Sequence, residues 1–219
     1  AGAHAFTITA ENSLGVAVAT GTFDIVPPGP PVLTNVAATP DPQQVFGTVT
    51  ITATIRDPDG VAQATVEVTF PDASTATYPM TNLGGDVWSH ARAYDQLGTH
   101  GFRITATDGT GASANATGTF RIVDTVPPVA DAGPDQIVPQ GTVVAFDGSG
   151  STDNVAVVNY TWPFVDGGTV SLYGVAPSYP FDNLGVFAVT LTVRDSSGNS
   201  AADSMNVTVL DVVPPSITN

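Results

Sequence analysis

Apolar and polar residues alternate singly along most of this chain, the pattern of strands with one buried and one wet face. Val49, Ile51, Ala53 and Ile55 are separated by threonines, and Val66, Val68 and Phe70 alternate with Thr65, Glu67 and Thr69. The same period predicts strands over 87–94, 101–107 and 115–123, spaced as a seven-strand sandwich requires. Further on, Val158, Tyr160 and Trp162 fall on one predicted face and Asn159 and Thr161 on the other. Trp162 therefore reads as a core anchor between sheets rather than a sugar-stacking platform. No ten-residue window reads as an amphipathic helix, so the predicted class is all-β, with tandem immunoglobulin-like β-sandwiches.

The chain repeats itself. Gly-Ala-His-Ala-Phe-Thr-Ile-Thr-Ala (2–10) returns as Gly-Thr-His-Gly-Phe-Arg-Ile-Thr-Ala (98–106), and Ala-Thr-Gly-Thr-Phe-Asp-Ile-Val (19–26) as Ala-Thr-Gly-Thr-Phe-Arg-Ile-Val (116–123). After each copy comes a segment ending in Pro-Pro, at Pro30-Pro31 and Pro127-Pro128, and a third such pair follows at Pro214-Pro215. Proline restricts the free linker and holds it extended, which makes a semi-rigid string of modules. The predicted organisation is the last hairpin of a preceding module (1–26), a linker (27–31), a sandwich (32–124), a linker (125–128), a second sandwich (129–210), and a linker with the start of a further module (211–219). An excerpt of a longer chain is the expected context, with strand complementation by a neighbouring chain as the other way to cover the apolar Phe6, Ile8 and Phe23 of the first hairpin.

Composition narrows the chemistry. The 219 residues carry 20 acids against 5 basic residues, a net charge of −15. Lysine is absent, and glutamate occurs only as Glu11 and Glu67. Such a surface repels phosphate backbones and argues against nucleic acid and anionic membrane as partners, whereas divalent cations are its natural counterions. No apolar run is long enough to span a bilayer as a helix. With no cysteine there is neither a disulfide framework nor a thiolate metal site.

Residues 129–210 resemble the PKD (polycystic kidney disease) domain, a sandwich common in archaeal and bacterial surface proteins and in secreted hydrolases. The resemblance rests on Ala132-Gly133-Pro134-Asp135-Gln136, on the run from Phe146 to Asp153, on Tyr160-Thr161-Trp162, and on Gly185 to Val193 followed by Asp195-Ser196-Ser197-Gly198-Asn199. Where the family usually has Trp-Asp-Phe-Gly-Asp-Gly, this chain has Trp162-Pro163-Phe164-Val165-Asp166-Gly167, and Phe181 and Phe187 stand where tyrosine is common. The preceding module resembles bacterial and archaeal immunoglobulin-like domains through Asp57-Pro58-Asp59-Gly60-Val61 and Asp108-Gly109-Thr110-Gly111.

In such a sandwich the incoming linker, the loop after the second strand and the last hairpin turn share one end. At the second junction this gathers Asp124, Asp153, Asn154 and Asp195, with Asn199 beside them; at the first junction it gathers Asp57, Asp59 and Asp108, but Pro27 stands in the place of Asp124. Oxygen ligands of this kind suit Ca²⁺, and some PKD domains bind calcium at this end. The competing reading is that Asp153, Asp195 and Asp108 only make Asx-turns to their own backbones. Asn115, Asn159 and Asn206 open Asn-x-Thr triplets and are candidate glycosylation sites in an exported chain.

Catalysis finds no foothold in the sequence. His4 and His100 occupy the same place in the repeated hairpins, His90 has no partner evident in the pattern, and no Ser-His-Asp or His-x-x-x-His arrangement occurs. The expected role is a non-catalytic stalk, fibre or surface-layer segment of an extracellular or cell-surface protein. Its expected partners are neighbouring modules of the same polypeptide or identical subunits. The alternatives are adhesion or polysaccharide-binding modules, or accessory domains of a secreted hydrolase.

Overall fold

The computed structural model describes residues 2–25 and 29–212. The expectations placed on 26–28 and 213–219, the start of the first proline linker and the opening of a further module, lie outside the described residues. The secondary structure of the described residues is β throughout, with no helix among them. Two compact units emerge, residues 1–123 and 124–219.

The first unit opens with strands β1 (Gly2–Asn12) and β2 (Gly15–Ile25), which form a two-stranded antiparallel sheet of their own. A sandwich follows. Its strands are β3 (Val32–Thr39), β4 (Gln43–Gln44), β5 (Thr48–Arg56), β6 (Val61–Thr69), β7 (Thr75–Pro79), β8 (Thr81–Gly84), β9 (Val87–Ala93), β10 (Gly98–Asp108) and β11 (Ser113–Val123). One sheet runs β4-β11-β10-β6-β7 and the other β3-β5-β9-β8. This is more than the seven strands predicted, because short pieces such as β4, which pairs in parallel with the end of β11, carry too few residues to show a period.

The predicted alternation sets the core. Val49, Ile51, Ala53 and Ile55 of β5 and Ala64, Val66 and Val68 of β6 are all buried. Each branched side chain fully withdrawn from water contributes about 1.5–3 kcal/mol. Between the sheets lies an aromatic cluster around His100, whose ring stacks on Phe120 at 5.0 Å and meets Tyr94 edge-on at 5.2 Å and Phe70 at 5.6 Å.

In the second unit the strands are β12 (Gln136–Pro139), β13 (Thr142–Ala145), β14 (Val157–Val165), β15 (Thr169–Tyr173), β16 (Ser178–Phe181), β17 (Gly185–Asp195) and β18 (Ser200–Leu210). A sheet ordered β12-β18-β17-β14-β15 lies in this unit together with the pair β13-β16. Trp162 is fully buried, stacks on Phe146 at 5.3 Å and donates its indole N–H to the Gly174 carbonyl at 3.0 Å. That polar contact lets an indole sit in the core without an orphaned donor. Phe181 is also fully buried, so the loss of a tyrosine hydroxyl there leaves no buried oxygen to satisfy.

One sequence expectation is corrected here. Val158 does not share the inward face of Tyr160 and Trp162; it is 58% exposed. The register of β14 against β17 slips between Val157 and Asn159, which pair with the adjacent residues Asp195 and Arg194. Val158 is thus the extra residue of a β-bulge, and Val157 takes the inward place against the core.

Candidate metal centre

Three carboxylates of the second unit converge as the sequence led us to expect. Asp124, Asp153 and Asp195 each offer an oxygen, and these oxygens lie within 4.8 Å of one another. Among the described residues this is the one such grouping of three or more metal-ligating side chains. Asp195 closes β17, Asp153 lies in the loop ahead of β14, and Asp124 opens the unit.

Local hydrogen bonds fix each acid. Asp195 accepts the backbone N–H groups of Ser197 and Asn199 on one oxygen at 2.9 and 2.8 Å, and the amide of the Asn199 side chain on the other at 2.7 Å. Gly198, at φ 93°, supplies the left-handed residue this tight turn requires. Asp153 takes Val155 N–H and Ala156 N–H on Oδ2 at 2.8 and 2.9 Å, while its Oδ1 is buried without a hydrogen-bond partner. Asp124 accepts Val126 N–H at 3.0 Å and the Asn154 amide at 3.2 Å. Asn154 itself is exposed and presents its N–H₂ group to Asp124 rather than a ligating oxygen.

Asn199 is the residue whose part the sequence only hinted at. Its side-chain amide nitrogen reaches Asp195 Oδ2, the Asp124 carbonyl at 3.2 Å and the Val126 carbonyl at 3.4 Å. The amide thus brings partial positive charge to oxygens from two segments. Burial works to raise the Asp195 pKa, but the bonds from Asn199, Gly198 and Ser197 outweigh it, and the carboxyl sits below the usual carboxylate range. Asp195 is ionised at neutral pH.

The geometry can be tested against an ion. Two oxygens sharing one Ca²⁺ at about 2.3–2.6 Å are no farther apart than about 5.2 Å. Oxygens within 4.8 Å of one another meet that condition. Carboxylate and carbonyl oxygens are also the donor type a hard cation takes.

The first unit carries half of this arrangement. Asp108 repeats the turn of Asp195: its Oδ1 accepts Thr110 N–H at 2.8 Å and Ala112 N–H at 2.9 Å, and Gly111 takes φ 91°. Burial opposes its ionisation, yet the bonds from Thr110, Ala112 and Gly111 hold its pKa below the usual value. Asp57 accepts the Asp59 N–H at 2.8 Å, and both Asp57 Oδ2 and Asp108 Oδ2 are buried without partners. Asp59 is exposed, and no grouping of three acids forms among the described residues here. Pro27, at the place of Asp124, lies outside the described residues, and Ala112 at the place of Asn199 has no amide to offer.

The other candidates are placed as follows. Asn115, Asn159 and Asn206 are all exposed; Asn159 accepts a bond from Thr161 at 3.1 Å, and the Asn206 amide donates to Asp135 at 3.3 Å. His90 stacks on Tyr78 at 4.8 Å, and burial lowers its pKa, as it does that of His100. A surface concavity of about 510 Å³ in the first unit is lined by Val32, Thr34, Arg56, Asp57, Pro58 and Asp86. It holds the Arg56–Asp86 ion pair at 3.0 Å together with Thr34 and Asp57, and no histidine lines it.

A family model described as PKD domain matches residues 125–209. The chain is 33% identical over 122 residues to the mouse Dyslexia-associated protein KIAA0319-like protein, covering 51% of this chain and 12% of that protein. The human Dyslexia-associated protein KIAA0319 is 32% identical over 122 residues, covering 51% and 11%. The chain therefore spans about a tenth of the length of these curated relatives. Among solved structures, the N-terminal eight immunoglobulin domains of the Down Syndrome Cell Adhesion Molecule align with 94% of this chain and 28% of theirs, at a TM-score of 0.51 and 15% identity. The likeness shows the fold: all-β, immunoglobulin-like, with a PKD-type second module.

Proposed function

We propose that this chain is a non-catalytic segment of a cell-surface or extracellular protein, a run of sandwich modules that acts as a spacer and binds calcium in its second module. The observation that carries the spacer reading is the presence of two successive sandwiches, each with its own closed core, followed or preceded by Pro-Pro segments. A catalytic role would need a base and its positioning partner in a cleft; the concavity described above is lined by no histidine, and its Asp86 carboxylate is engaged by Arg56. The likeness to much longer relatives, of which the match covers only 12%, supports a place within a larger surface protein.

A spacer is defined by its response to tension. Pulled between handles at its two ends, the chain is expected to give two separate unfolding events. Each should release about 250–300 Å, since a sandwich of this size extends to at most ~3.6 Å per residue. A featureless extension at low force would refute the reading.

The calcium part rests on the converging Asp124, Asp153 and Asp195 oxygens. They would bind the ion with help from the Asp124 and Val126 carbonyls that Asn199 now engages. An ion there would tie the start of the module to two of its loops. Calorimetry in EDTA and in millimolar Ca²⁺ tests this, and identical transitions would remove calcium from the account.

A further inference from the structure

The hairpin β1–β2 copies β10–β11 in geometry as well as sequence. His4 faces Phe23 as His100 faces Phe120, Phe6 faces Gly21 as Phe102 faces Gly118, and Ile8 faces Ala19 as Ile104 faces Ala116. The stacked ring pairs recur, His4–Phe23 at 5.5 Å and His100–Phe120 at 5.0 Å. In both hairpins the phenylalanine ring lies over the facing glycine so closely that a Cβ there would collide with it. What differs is the cover. Phe102, Ile104 and Phe120 are at most 4% exposed, whereas Phe6, Ile8 and Phe23 are 43%, 60% and 51% exposed.

The copy in the sandwich shows what such a face is built to meet. The outer edge of β10 is paired by β6, with Phe102 opposite Val68, Ile104 opposite Val66 and Ala106 opposite Ala64. The inward face packs against β5, and Phe70 and Tyr94 close over the histidine. All of these covering residues precede β10 in the chain.

We infer that β1–β2 is the final hairpin of a third immunoglobulin-like sandwich, and that its occupant is a strand layer of the β3–β9 type standing N-terminal to it in the same polypeptide. The edge of β1 from Ala5 to Ala10 receives an antiparallel strand with alternating Val and Ala, in the register that β6 takes on β10. The salt bridge Arg103–Glu67 has no counterpart, because Thr7 stands where Arg103 does, so the incoming strand needs no acid there. This inference rests on the module-array reading but not on calcium, and its test leaves the second unit untouched.

The experiment supplies the missing layer from the protein itself. A second copy of residues 29–97 is joined directly ahead of Gly2 of the full chain, so that Gly2 takes the place of Gly98. Hydrogen exchange is then compared with that of the unextended chain. The expected result is slowing of the β1 amides by about 100-fold or more, together with one additional cooperative unfolding unit. Phe6→Ser in the extended chain should abolish both. Hairpin amides that exchange as before would overturn the inference. So would a sedimenting dimer of the unextended chain with a protected hairpin, dissociated by Phe6→Ser, since the occupant would then be a second copy.

Discussion

Replacing Asp153 by asparagine should reverse the sign of its effect with calcium. The substitution keeps an oxygen for the Val155 and Ala156 amides and removes one charge from a group whose oxygens lie within 4.8 Å of one another. At that spacing two unit charges repel by about 1 kcal/mol in a water-like medium and about 3.5 kcal/mol at an effective dielectric of about 20. In EDTA the variant is therefore expected to be more stable than the parent, by roughly the lower of those values because Asp153 itself is only partly buried and solvent screens its charge. With calcium the order inverts. Dissociation constants of extracellular modules run at about 10⁻⁴–10⁻³ M, so ~10 mM Ca²⁺ stabilises the parent by about 1.4–2.7 kcal/mol. For a domain of this size that is a rise of about 6–20 °C in Tm. The assay is thermal unfolding of the full chain followed by Trp162, buried in the second unit, with Trp88, the other tryptophan, replaced by phenylalanine. The reasoning fails if the parent shows no shift, if Asp153→Asn keeps the shift, or if the variant is the less stable of the two in EDTA.

Gly118→Ala forces a methyl into the buried Phe102 ring and should cost the first unit about 1–3 kcal/mol less the ~0.5–1 kcal/mol that alanine gains over glycine in a strand. Gly21→Ala meets the half-exposed Phe6 ring, which can swing into solvent, so urea midpoints should separate the two variants. Burial lowers the His100 pKa below its unfolded value near 6.5, so the first unit is at full stability above that pH and loses stability as pH falls through it toward the folded pKa. His100→Phe should flatten the slope of stability between about pH 7 and 5, and an unchanged slope would assign it to His90 instead. Trp162→Phe leaves a void and removes the indole bond to the Gly174 carbonyl, which should cost about 2–4 kcal/mol, confined to the second unit in calorimetry.

The fold was legible wherever a strand was long enough to show its period. Strands β5, β6, β10 and β11 each run nine residues or more, and their alternation in sequence is their alternation in burial. Strands β4 and β13 are two and four residues long and carry no readable pattern. Val158 misled for a different reason. A bulge adds one residue without altering the character of its neighbours, and a strict count of two then points every residue before the slip the wrong way. The twin hairpins were the most informative feature of the sequence, because a repeated arrangement of His, Phe and Gly reports a shared packing problem rather than a shared propensity. The sequence already marked the first copy as a hairpin whose Phe6, Ile8 and Phe23 need cover from elsewhere, and the structure adds how far those side chains stand exposed beside their buried twins.

The candidate site was legible in part, because Asp recurs at turns for two reasons that sequence alone sets against each other. One carboxylate has oxygens enough for both. Asp153 gives one oxygen to its own turn and keeps Oδ1 buried and unpaired, and Asp195 divides its oxygens between its turn and the Asn199 amide. An Asx-turn is then the device that aims a carboxylate rather than a reason to discount it. This also accounts for the difference between the modules. Asp108 makes the same turn as Asp195, and its second oxygen is likewise left over, but its module has Ala112 where the other has Asn199 and proline where the other has Asp124. If aiming alone sufficed, both modules would respond to calcium alike. If a third oxygen donor is required, the response belongs to the second module alone, and exchanging Asp124 for proline should abolish it while leaving the Asp195 turn intact.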